Sequence, residues 1–129
     1  MADIPLYTED DDFPAPVLPQ DLRFESVAVT PYGDGRRVKL HFRFPPFLER
    51  PSVEALVTNA QGQAVASMNL IEAMDQDFEF TLHLRGPQPQ GAHTLHLLLF
   101  YPEHPDAPTG NRTVVEERAV SFEIGGLEN

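Results

Sequence analysis

The chain has 129 residues, 41% of them hydrophobic and 22% charged, with no cysteine; this fits one globular domain and excludes disulfides, thiolate catalysis and cysteine-ligated zinc. Nine basic against twenty acidic residues leave a formal charge of -11, so no nucleic-acid partner and no anionic membrane partner is expected, since both are bound mainly through Lys and Arg. The longest uninterrupted apolar run, Leu97 to Tyr101, falls far short of the ~20 residues that span a bilayer, and the start Met1-Ala2-Asp3-Ile4-Pro5 carries no signal-peptide pattern, which makes a cytoplasmic location the default expectation.

Residues 1–20 form an acidic, proline-rich N-terminal segment. Pro5, Pro14, Pro16 and Pro19 stand beside the acidic run Glu9 to Asp12 with no basic residue, so this segment carries -5 and the body, residues 21–129, the remaining -6. Such a composition forms neither a helix nor an interior strand. Two readings stand: a disordered tail, or an extended arm that lays Ile4, Leu6, Tyr7, Phe13, Val17 and Leu18 on a folded surface.

From residue 21 onward apolar residues recur at every second position, the period of a half-buried strand. A first strand near Arg23 to Thr30 passes through the turn Tyr32-Gly33-Asp34-Gly35 into a second, Arg37 to Phe44, where Val38, Leu40, Phe42 and Phe44 alternate with Arg37, Lys39, His41 and Arg43. Pro45-Pro46 and Pro51 bracket a loop, after which Val53 to Thr58 turns at Asn59-Ala60-Gln61-Gly62 into a fourth strand, Ala64 to Leu70. Leu70 to Met74 offers at most one helical turn. Phe78, Phe80, Leu82 and Leu84 mark a fifth strand, and Leu95, Leu97, Leu99 and Tyr101 a sixth; the seventh runs near Thr113 to Ile124. The expected core is Phe24, Val38, Leu40, Phe42, Val57, Phe78, Phe80, Leu82, Leu95, Leu97, Leu99, Val120 and Phe122.

Seven short strands with turns every 8 to 12 residues resemble the immunoglobulin-like and fibronectin-type-III-like sandwiches over roughly residues 21–125, without the cysteine pair and core tryptophan of immunoglobulin domains. The resemblance implies an all-β, two-sheet antiparallel seven-stranded immunoglobulin-like β-sandwich, here with an extended N-terminal arm. It also implies strands one, two, five and four in one sheet and three, six and seven in the other. It carries no function of its own.

Candidate chemistry is sparse. His93 and His96 are three apart, which on a strand sends them to opposite faces, and His41 and His83 take outward positions, so no histidine metal site is expected. Glu9 to Asp12, or Asp75, Asp77 and Glu79, are acidic clusters without the spacing of a calcium loop. Ser26, Ser52, Ser67 and Ser121 lie in no nucleophile elbow, and no glycine-rich phosphate loop occurs; a non-catalytic protein without a cofactor is expected. Arg23, Arg36, Arg37, Lys39 and Arg43 crowd the first hairpin, where a neighbouring acidic strand is their simplest partner: antiparallel pairing of strands two and five sets Arg43 near Asp77 and Lys39 or His41 near Glu79.

Strand six departs from a plain sandwich because Leu98 and Phe100 are apolar on the face opposite Leu95, Leu97 and Leu99. With Leu56 of strand three they predict an outer apolar patch that needs a cover, either the arm residues Ile4, Leu6, Tyr7 and Phe13 or a second subunit. The expected function is therefore protein interaction, with self-association into a homodimer through this face and the arm. The alternative is a carbohydrate- or calcium-binding module built on loops such as Glu72 to Gln76 or Pro102 to Asn111.

Overall fold

The computed structural model describes residues 15–86, 90–102 and 112–125. Their strands are β1 (Ser26–Pro31), β2 (Arg37–Arg43), β3 (Ser52–Thr58), β4 (Ala64–Leu70), β5 (Asp77–His83), β6 (Gly91–Pro102) and β7 (Arg112–Ile124). They build a three-stranded antiparallel sheet of order β1-β2-β5 and a four-stranded one of order β4-β3-β6-β7. The one helical element among the described residues is a 3-10 turn at Pro19–Asp21, and the Leu70 to Met74 segment forms no helix.

The alternation in β2 and β6 is decisive: Val38, Leu40, Phe42, Leu95, Leu97 and Leu99 are all buried, and residues of both sheets share one core. Phe42 is its aromatic centre, with ring centroids 5.5 Å from Phe24, 5.6 Å from Phe44 and 5.6 Å from Phe78. Phe78 and Phe80 on β5, and Val120 and Phe122 on β7, are only half-buried against that core. Both are edge strands, so a neighbour shields them on one side only. Leu22, Phe44, Val53, Val57, Leu82 and Tyr101 are buried in the same interior.

Strand four departs from the expected topology. It belongs beside β3, not beside strands one, two and five. The reason is local: the Asn59 N–H donates to the Gln63 carbonyl (2.9 Å), and the Asn59 side-chain oxygen accepts from the amides of Gln61 (3.0 Å) and Gln63 (2.9 Å). With Gly62 at φ +79° this closes a tight hairpin, and a strand leaving a closed hairpin stays in the sheet it came from.

The first strand begins at Ser26 and not at Arg23, because Phe24 bonds to β7 of the opposite sheet before the Glu25 N–H joins β2 at the Arg43 carbonyl (2.7 Å). At β7 the Phe24 N–H donates to Glu116 Oε1 (2.8 Å), while Arg118 donates through Nη2 to the Phe24 carbonyl (3.2 Å). Glu116 and Arg118 also pair with each other at 2.8 Å, so two side chains stand in for a strand partner and pin the seam between the sheets. Of the expected arm, Val17 packs on the core and forms a parallel bridge with Phe47; its N–H donates to the Pro46 carbonyl (2.9 Å), and its carbonyl accepts from Leu48 (3.2 Å). Ile4, Leu6, Tyr7 and Phe13 lie outside the described residues.

Candidate functional site

The sandwich offers two outer faces. On the three-stranded sheet, β2 and β5 pair with Arg43 opposite Asp77, His41 opposite Glu79 and Lys39 opposite Thr81, the pairing that the alternation predicts. Arg43 reaches both Glu25 and Asp77 at 3.4 Å, Lys39 reaches Glu79 at 3.4 Å, and His41 contacts Asp77. At the adjoining turn Asp34 accepts from the amides of Arg36 (2.9 Å) and Arg37 (3.2 Å) and pairs with the Arg37 side chain at 2.7 Å. The Arg36 amide and then the Arg37 guanidinium hold the Asp34 carboxyl below the usual carboxylate range. Every cation that β2 carries outward already has a carboxylate.

The outer face of the four-stranded sheet is built differently. Strand register aligns Glu54 of β3, Leu98 of β6 and Glu117 of β7 in one cross-strand row, and Leu56, His96 and Ala119 in the next. Ser67 and Asn69 of β4 extend these rows, opposite Leu56 and Glu54. The twisted sheet makes this surface concave, with a volume of about 650 Å³ floored by Leu56, Leu98 and Ala119. Leu56 is exposed, Leu98 half-buried, and the His96 ring is held by Thr58 at 3.1 Å from its Nε2.

Phe100 shares this face but is not exposed, at 6% of its surface. The Arg112 guanidinium lies over its ring at 4.6 Å and reaches Glu54 at 3.2 Å, so a cation and a carboxylate roof the aromatic. Leu56, Leu98 and Phe100, the expected interface residues within the described part of the chain, thus share one face, with Phe100 as its covered end. Sequence alone does not reveal the two carboxylates astride Leu98, because their row exists only once strand register is known.

Two further concavities lie elsewhere on the sandwich. One, about 500 Å³, lies by the β3–β4 turn and is lined by Asn59, Gln63, Arg85 and His93 among others. His93 is buried and donates from Nδ1 to the Gly91 carbonyl (2.9 Å), with its ring stacked on Phe122, so it serves the local fold. The other, about 730 Å³, lies between Arg43, Phe47 and the Met74 to Asp77 segment, and its cation is committed to Asp77. Burial, with the Glu49 charge second, pushes the Tyr101 hydroxyl up to about 12. Among the described residues no three His, Asp or Glu side chains gather as a metal site, and no helix is long and apolar enough to cross a membrane. Compared with known proteins, the sequence matches no family model and none of the curated proteins.

Proposed function

We propose that this chain is a non-catalytic protein-interaction module whose binding surface is the outer face of the four-stranded sheet. One observation carries the reading: Leu56 and Leu98 floor a concavity while Glu117, at its edge, has no cation within ion-pairing distance among the described residues. An apolar floor rimmed by polar groups marks a contact surface. On this reading the fold is of the immunoglobulin-like or fibronectin-type-III-like kind, with strand four beside strand three, since sandwiches of this architecture vary in topology.

The partner is protein, either another chain or a second copy that forms a homodimer. Selection of peptides from a random display library on the immobilised protein tests the assignment. Peptides enriched on the wild type and lost on Leu98→Asp support it; enriched peptides that bind both proteins alike overturn it.

A further inference from the structure

The rows on the four-stranded sheet also specify what kind of segment fits. Adjacent strands lie about 4.8 Å apart, so the backbones of Glu54 and Glu117 stand roughly 10 Å from each other with Leu98 between them. A lysine or arginine laid across this row would bury its methylene stem on Leu98 and Leu56 and bring its charge to a carboxylate. The molecule shows the same chemistry once already: Arg112 crosses from β7, covers Phe100 at 4.6 Å and ends on Glu54 at 3.2 Å. One row along, beside Leu98, the carboxylate of Glu117 has no such cation among the described residues.

We infer that the face takes a lysine- or arginine-bearing, otherwise apolar segment of a different protein, an inference that rests on the interaction reading above. A second copy fits less well. It would bring its own Glu54 and Glu117 and a chain charge of -11, and its basic strand β2 is already paired with Glu25, Asp77 and Glu79. The acidic run Glu9 to Asp12 of the chain itself meets the same repulsion.

The test is an amide NMR titration with capped octapeptides that alternate valine with lysine or valine with glutamate. The lysine peptide should shift Leu56, His96, Leu98 and Ala119 saturably. Affinity should fall at least tenfold in Glu54→Gln/Glu117→Gln and hold in Asp77→Asn/Glu79→Gln, which removes the same charge from the other sheet. If the glutamate peptide binds equally well, or the double variant binds the lysine peptide undiminished, the basic partner is overturned while the interaction face stands. A solution mass that doubles with concentration, with shifts at the same residues, makes the occupant a second copy and overturns the inference equally. If no peptide shifts the face and the mass stays monomeric, the interaction reading falls with it.

Discussion

The two outer faces come from sheets of similar alternation, yet one is closed and the other open. On the three-stranded sheet a basic strand lies beside an acidic one, and Arg43, Lys39 and His41 each find a carboxylate across the ladder. On the four-stranded sheet the central strand β6 presents Leu98 beside two carboxylates, of which Arg112 serves only Glu54. Exposed ion pairs add little stability, so the charge ladder matters chiefly because it satisfies that surface in water. The open face has no such ladder, and on the interaction reading proposed above this difference selects it as the contact surface.

Both faces depend on the interior between them. Phe42→Ala, which removes the ring at the centre of the aromatic cluster, should cost about 3 to 5 kcal/mol in urea unfolding. A wild-type midpoint would mean that β2 presents its other face. Next in size is the seam: Glu116→Ala strips the acceptor from the Phe24 N–H and should cost roughly 1 to 3 kcal/mol, with faster hydrogen exchange at that amide. Unchanged exchange would show that the segment before β1 is held by other contacts.

Tyr101 supplies a pH test. Its folded value, raised to about 12 from the 10.0 of a free phenol, means the folded state holds the proton more tightly. Stability is therefore fully present below pH 10 and declines as pH rises from about 10 to 12; Tyr101→Phe should flatten that part of the profile. The smallest effect belongs to the closed face, where Lys39→Ala should change unfolding free energy by no more than ~1 kcal/mol and less in high salt, since the Glu79 pair is exposed.

Much of the fold was legible because parity is a strong signal where one face is buried. Val38, Leu40 and Phe42, then Leu95, Leu97 and Leu99, identify β2 and β6, and the charges between them set the β2–β5 register. The resemblance, not alternation, puts strand four in the other sheet; the turn at Asn59 to Gly62, itself visible in the sequence, closes a hairpin and keeps the strand beside β3. Glu116 and Arg118 share parity with Val120 and Phe122, a visible break in an inward apolar series, but their partner is the backbone of Phe24, 92 residues from Glu116 in sequence. The candidate site was half legible: Leu56 and Leu98 stand out by parity, whereas the shielding of Phe100 by Arg112 depends on three strands being side by side.

The most direct measurement is the map of backbone amide shifts on both sheets when a peptide selected on the wild-type protein is titrated in. Shifts confined to Leu56, His96, Leu98, Glu117 and Ala119, with Lys39, His41 and Glu79 unmoved, are the predicted result. Shifts centred on Lys39, His41 and Glu79 would contradict it, because the face whose charges are already paired would then be the one that binds.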